Sequence, residues 1–497
     1  MAAPTRARER AKPPLEYSIL YTATLCLLAA GAVMVYSASS ATSVQAGGDS
    51  TGYLKRYLIF GALGLVTMHL LSRRNLAVAR NSTPLILVSG FVLTAAVMLP
   101  GIGVTVNGAT RWLGAGPVQF QPSELLKVGV ILFAAGVLAA RPSRLETVGT
   151  MFKPVLLVVG LACLLLLKQP DMGTAMVICF AMFALLVAAG APMRNLAKIG
   201  GVLVTLGMIL AIVEPYRRDR LLSFVDPWKH AGDTGFQGVQ AIIAIGSGGL
   251  FGTGLGESVQ KIHYLPEAHT DMILAVVGEE LGLFGIAGLA ALYALIAYAG
   301  FRAAKAAKDR YAKLVAAGIT SLILTQAVIN FFAVMGMAPL TGVPLPFISY
   351  GSSNMVVLLG AMGLLLNVAA TGGVAAAAGR GSGRLRVVEG GRDEREEPRR
   401  RRAAGGGKRA AGGAKRAAAK RPAAKRPAAK RTAGGGAERA AAREAKRAGA
   451  GGSKRSGSGG SQRPAAGGSK RAASGDGRGR DGGARRARAG DRRRAAG

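Results

Sequence analysis

The stretch Lys261–Gly285, KIHYLPEAHTDMILAVVGEELGLFG, sets two histidines, one aspartate and three glutamates against a run of apolar residues. Pro266 breaks any preceding helix, Thr270 is a fair cap, and Asp271 falls where a new helix would begin. Unpaired amides and the helix dipole favour an acid at that position. Capping does not explain Glu279 and Glu280. At a rise of roughly 1.5 Å per residue, Glu279 lies about 12 Å further along the helix and about 80° around it from Asp271. A carboxylate at that depth in an apolar helix needs a cation, a proton or a wet cavity, because it would otherwise lose several kcal/mol of solvation. The stretch therefore reads as the mouth of a membrane-spanning helix lined with acids.

Working outward, apolar segments of spanning length recur along the chain. A bilayer core of roughly 30 Å takes about 20 helical residues, and that measure gives about ten candidates: 16–38, 57–72, 82–100, 124–140, 153–168, 172–190, 197–214, 272–299, 312–337 and 353–371. The expected fold is all-α, a polytopic membrane bundle. The first segment follows the basic leader of residues 1–14, but its apolar core is too long for a cleaved signal and nine more follow, so it reads as a retained anchor.

Basic charge alternates between the connections. SRRNLAVARN (72–81), Arg141, Arg144 and Lys153, Arg194 and Lys198, and FRAAKAAKDRYAK (301–313) fall on one side of a ten-span bundle together with both termini. The positive-inside tendency assigns that side to the cytoplasm. The opposite, exterior side receives 39–56, 101–123, 169–171, 338–352 and the long segment 215–271. Within the last of these, GVQAIIAIGSGGLFGTGLG (238–256) carries seven glycines. It is too broken for a span and reads as a re-entrant or interfacial element.

The formal net charge of +37 belongs mostly to the end of the chain. Residues 401–497 hold 29 Lys+Arg and 5 Asp+Glu among Ala, Gly, Ser and Pro, with no Leu, Ile, Val or aromatic residue. Such a segment buries too little apolar surface to offset the entropy of ordering, so the tail from 373 onward is expected to be disordered and cytoplasmic. Its charge suits anionic membrane lipids. No aromatic interleaving or folded module points to sequence-specific nucleic-acid recognition. Cys26, Cys163 and Cys179 lie inside apolar runs and read as buried small hydrophobes rather than disulfide or metal partners.

Candidate cations and further acids flank the exterior side. Arg111 lies in an exterior loop, Glu124 and Lys127 sit one helical turn apart on the fourth span, and Lys168 and Asp171 mark the outer ends of the fifth and sixth. Spacing i,i+3 permits an ion pair between Glu124 and Lys127. Asp271 and Asp171 would then be the acids of a polar vestibule, with Arg111, Lys127, Lys168 and Lys261 as anion ligands. Neither HExxH nor a cysteine-rich pattern supports zinc hydrolysis, and the glycines lack the context of a nucleotide loop. From the residues alone, three chemistries stay open: a proton relay in a transporter, activation of a hydroxyl on an amphiphilic substrate, or a divalent-metal site.

Five motifs narrow the choice: NGATRWL (107–113), FQPSELLK (120–127), KQPDMGTA (168–175), YLPEAHTDMILAVVGEELG (264–282) and PLTGVPLPFISYGSSNM (339–355). In this order they resemble the SEDS family of shape, elongation, division and sporulation proteins over about residues 15–372. The likeness is greater to its FtsW-type division members than to its RodA-type elongation members. The resemblance implies a peptidoglycan glycosyltransferase that polymerises lipid II on the outer face of the cytoplasmic membrane during septal wall synthesis. Asp271, the acid of the HTD motif with His269, matches the proposed catalytic residue. Arg111, Glu124, Lys127, Glu279 and Glu280 match further motif positions, as substrate-binding or cavity-organising residues. Implied partners are a class B penicillin-binding protein transpeptidase and other divisome proteins, and a divalent cation (Mg or Mn) is the one cofactor left open. A lipid II flippase and a noncatalytic divisome scaffold are the competing roles. Gly351-Ser352 replaces the family's usual Gly-Gly pair, a departure that bears on the local loop.

Overall fold

A computed structural model describes residues 13–389 apart from 46, 107, 116, 117, 142–151 and 263. Most of the basic leader and the tail from 390 onward lie outside the described residues. The chain is mainly helical: α1 (Leu15–Gln45), α2 (Gly52–Arg73), α3 (Leu76–Ala96), α4 (Pro122–Ala140), α5 (Phe152–Lys168), α6 (Met172–Ala189), α7 (Met193–Val213), α8 (Pro215–Val225), α9 (Phe236–Gly248), α10 (Ile273–Ala306), α11 (Arg310–Val334) and α12 (Ser352–Glu389). Helix continues in α12 past residue 372, where the composition changes to the polar tail.

Every one of the ten expected segments falls on a helix, but among the described residues nine are long and apolar enough to cross a membrane. The difference is α5, whose 17 residues end at a tight turn into α6. Local chemistry fixes the helix ends. The Asn75, Asp171 and Asp309 side chains accept backbone N–H groups at the starts of α3, α6 and α11, and Gly190 closes α6 in the left-handed conformation. Such caps supply partners that the first and last turns cannot find within the helix.

The centre of the bundle is α4, α6, α11 and α12, where Leu126, Leu185, Leu322 and Leu358 are fully buried. α7 lies at the periphery with Val202, Leu206 and Ile209 exposed. At the end away from Asp271, Arg310 donates to the carbonyls of Leu138 and Ala189, and Asn367 donates to those of Ser72 and Arg74.

Two features were not anticipated. The segment after α3, expected on the exterior side, folds as an antiparallel meander, β1 (Gly103–Val106), β2 (Ala109–Ala115) and β3 (Val118–Phe120), in the order β1-β2-β3. It adds a small sheet to an otherwise helical architecture. In addition, α10 is broken at Gly282, with φ 67° and ψ −162°. The break frees backbone groups that neighbouring segments satisfy: the Leu283 and Phe284 amides donate to the Gly249 and Leu250 carbonyls, and the Thr253 and Gly254 amides donate to the Glu279 and Glu280 carbonyls. Irregular backbone at membrane depth is tolerated only when protein or water satisfies it in this way. The close approach demands glycine, because a Cβ on Gly248, Gly252 or Gly282 would overlap the opposing backbone. The glycine-rich stretch expected as a re-entrant element is therefore α9 and the turn that plugs this break.

Candidate active site

Asp271 lies immediately before α10, not in its first turn, and its side chain does not cap the helix. Its backbone carbonyl accepts the Asn330 amide of α11 at 2.7 Å, and the Thr270 hydroxyl stands 3.2 Å from its Oδ1 and 2.9 Å from Glu267 Oε2. Asp271 as a residue is half-buried. Burial against the surrounding protein, reinforced by the Glu267 charge, pushes its pKa up to about 6, while its own amide, Thr270 and Arg220 pull the other way. Asp271 forms no ion pair among the described residues. The same side chain is thus not spent on a structural cation among the described residues.

His269, two residues earlier, packs against Tyr53 and Tyr350 with ring centroids at 4.4 and 5.7 Å. Burial holds its imidazole below the usual range, with Glu267 opposing. The segment 340–350 that borders Asp271 is held from several helices. Asn330 donates to the Val343 carbonyl, Tyr57 to Phe347, and Tyr293 to Pro346. Phe347 has a positive φ of 67°, strain that these clamps hold in place. Ser352 has ordinary dihedrals and donates to the Gln119 carbonyl at 3.0 Å, so the Gly351-Ser352 departure joins α12 to β3.

Across the 341–343 backbone from Asp271 lies a second polar group. The packing is close: a Cβ on Gly173 of α6 would meet the Thr341 carbonyl, and one on Gly342 would stand 3.7 Å from Asp271 Oδ2. On the α6 side, Arg111 of β2 donates through Nε to the Gln169 carbonyl at 3.0 Å and through Nη2 to that of Pro170, and its Nη1 is 3.8 Å from Asp171 Oδ1. Arg111 thereby clamps the α5–α6 turn, while Asp171 caps α6 and lies 3.5 Å from Gln121 Nε2. Lys168 beside them is exposed. Glu124 and Lys127 form the predicted pair at 2.9 Å, both almost wholly buried.

Glu279, Glu280 and Lys261 assemble elsewhere. Glu279 accepts the Ser258 hydroxyl and the amides of Val259 and Gln260, the latter two at 3.0 and 3.4 Å. Glu280 pairs with Lys261 at 2.7 Å and accepts the Ser37 hydroxyl of α1 at 2.6 and 2.8 Å. Lys261 also donates to the Gly256 carbonyl and to Ser37. Their oxygens and protons are consumed in tying segment 253–261 to α1 and to the broken α10. The polar neighbours that depth demanded are present, but they make a closed knot.

Sequence reasoning passed over Arg220, whose field acts on Asp271 and whose Nη1 donates to the Leu340 carbonyl at 3.1 Å. It also passed over Ser37, Asn330 and Tyr350. A signal existed for two of them: Ser37 interrupts the first apolar span, and Asn330 sits in the ninth. Among the described residues no three His, Cys, Asp or Glu side chains stand together as metal ligands. A divalent cation at Asp271 would have to draw most of its coordination from substrate phosphates and water, as Mg2+ commonly does.

Comparisons with known proteins agree with this architecture. Residues 18–372 match the FtsW/RodA/SpoVE family model, described as cell cycle protein. Stage V sporulation protein E of Bacillus subtilis is 38% identical over 352 residues, covering 70% of this chain and 96% of that protein. A probable peptidoglycan glycosyltransferase FtsW of Thioalkalivibrio sulfidiphilus is 43% identical, covering 70% and 88%. Among solved structures, a chain of a peptidoglycan synthase complex described as coordinating polymerization and crosslinking superposes with a TM-score of 0.57 at 30% identity, covering 70% of this chain and 96% of its own. The rod shape determining protein RodA of Thermus thermophilus gives 0.52 at 29% identity, covering 70% and 95%.

Proposed function

The chain belongs to the FtsW/RodA/SpoVE family, and from that premise we propose that it is a peptidoglycan glycosyltransferase that polymerises lipid II, with Asp271 as the general base. The observation that carries the assignment is the state of this one acid: a half-buried residue immediately before α10, its carboxyl raised to about 6 and without an ion pair among the described residues. The buried acids Glu124, Glu279 and Glu280 are each engaged by described lysines, hydroxyls or amides. A base works best with a pKa close to the operating pH, and Asp271 meets that condition.

In the proposed reaction the 4-hydroxyl of the acceptor sugar gives its proton to Asp271 as its oxygen forms a bond to the anomeric carbon of the donor. The bond from that carbon to the undecaprenyl pyrophosphate breaks, and the leaving group carries away the electron pair. One base and no covalent sugar intermediate imply inversion. The developing phosphate charge needs cations. Exposed Lys168 and the Arg220 guanidinium suit that task better than Lys127 and Lys261, which are buried in ion pairs. Arg111 serves the site by fixing the α5–α6 turn.

The setting we propose is septal wall synthesis at the cytoplasmic membrane, with Asp271 outside, both termini inside, and a class B penicillin-binding protein as partner. Support for the partner comes from the synthase complex among the structural relatives, which couples polymerization to crosslinking. The test uses the full chain with that partner and labelled lipid II in detergent. Asp271→Asn should lower glycan formation about 10²–10⁴-fold, the usual worth of a general base, while the complex stays assembled on size exclusion. Unimpaired synthesis by the variant overturns the base assignment. Lipid II movement across vesicles without polymerisation by the unmodified chain would favour the translocase role.

A further inference from the structure

α5 and α6 form a hairpin, and along their shared seam, nearer the turn than the far end, the Cys163 and Cys179 sulfurs stand 3.6 Å apart. Sixteen residues separate them in sequence, so no motif spacing announced the pair. Neither is fully buried, contrary to the sequence expectation, and Cys26 on α1 is exposed. Neighbouring Leu161 and Leu164 on α5 and Phe180 on α6 are exposed apolar residues, so the seam opens toward the surface that acyl chains cover. Cys163 lies about 8 Å from the Lys168 end of its helix and Cys179 about 10 Å from the Met172 end of its own. Both are thus inside the apolar slab but in its outer part. A charged water-soluble thiol reagent is excluded from that depth, whereas a lipid-soluble one is not.

We propose that Cys163 and Cys179 are a redox-active dithiol, oxidised to an intramolecular disulfide by a membrane-soluble quinone. Two S–H bonds break and one S–S bond forms, and the two electrons and two protons pass to the quinone, which leaves as the quinol. The sulfurs are already in van der Waals contact, so the bond-forming step starts from neighbouring atoms. The staple would join α5 to α6 next to the turn that Arg111 clamps, where Asp171 caps α6. Oxidation would thus fix the spacing of the hairpin beside the site. This inference does not depend on the reaction assigned to Asp271.

The experiment uses the full chain carrying Cys26→Ser, reconstituted in lipid and exposed to a short-chain quinone whose ring carbons are fully substituted, so that it oxidises thiols without adding to them, then denatured and alkylated with N-ethylmaleimide. Expected is loss of alkylation at both cysteines together, a peptide mass showing 163 joined to 179 within one chain, and recovery of both thiols on reduction. In Cys163→Ser and Cys179→Ser variants the remaining thiol should stay fully alkylated after the same treatment. Retention of both free thiols in the Cys26→Ser chain, or crosslinks only between chains, overturns the proposal. Protection that a metal chelator reverses overturns it as well, because it reports a soft-metal site.

Discussion

Two ends of a single stretch of sequence use acids in opposite ways. At the Glu279–Glu280 end both carboxylates are enclosed: the Ser258 hydroxyl and two backbone amides donate to Glu279, and Lys261 and the Ser37 hydroxyl donate to Glu280. At the Asp271 end the carboxyl meets one side-chain hydroxyl, has no cation paired with it among the described residues, and is pushed up to about 6 by burial and by Glu267. Burial alone therefore does not tell a reactive acid from a structural one. What separates them is whether the protein supplies enough donors to satisfy the charged form. The paired glutamates hold the frame, and the undersupplied aspartate is left able to take a proton.

The contrast can be broken most forcefully at Glu280. Replacing it by alanine strands the Lys261 ammonium in the bundle, and removing one partner of a buried pair costs about 3–5 kcal/mol. Glu280→Ala should thus show a large drop in thermal stability in detergent. Glu280→Ala combined with Lys261→Met should recover much of the loss. Equal loss in the single and double variants would mean that the pair is not the closed unit described above.

A smaller effect is expected at the break itself. Gly282 occupies a region of φ and ψ that is essentially restricted to glycine, so Gly282→Ala should cost about 1–3 kcal/mol of strain, with further loss from overlap with the Gly252 backbone. The stability measurement used for Glu280 reads this directly. An unchanged melting midpoint would show that α10 runs straight through position 282.

How much of this was legible without coordinates differed from element to element. The spanning helices could be read because a bilayer imposes length and apolarity, two properties carried by each segment on its own. The Glu124–Lys127 pair could be read because helical spacing brings residues three apart together. The meander after α3 was missed although Asn107-Gly108, between GVTV and ATRWLGA, is the dipeptide that favours a two-residue hairpin; strands this short stand out poorly in a connection between long apolar segments. The partner of Glu280 could not be read: Lys261 is nineteen residues away, and only the turn after α9 folds it back while α1 delivers Ser37 from 243 residues off. Straight-helix geometry correctly demanded polar company for Glu279. It could not show that the company would come from the amides of Val259 and Gln260, nor that Gly282 would break the helix three residues later. Arg220 stayed hidden for the same reason, its effect on Asp271 arising where α8 meets the Leu340 backbone.

The central claim, that Asp271 is the proton acceptor, is tested most directly by the pH dependence of glycan formation. A carboxyl raised to about 6 must lose its proton to act, so the rate should be constant above that value and fall about tenfold per pH unit below it. This limb should vanish from the residual activity of Asp271→Asn and persist in the Glu280→Ala, Lys261→Met double variant. A profile that stays flat down to about pH 4, the ordinary carboxylate range, or a limb near 6 that survives in Asp271→Asn, would contradict the account.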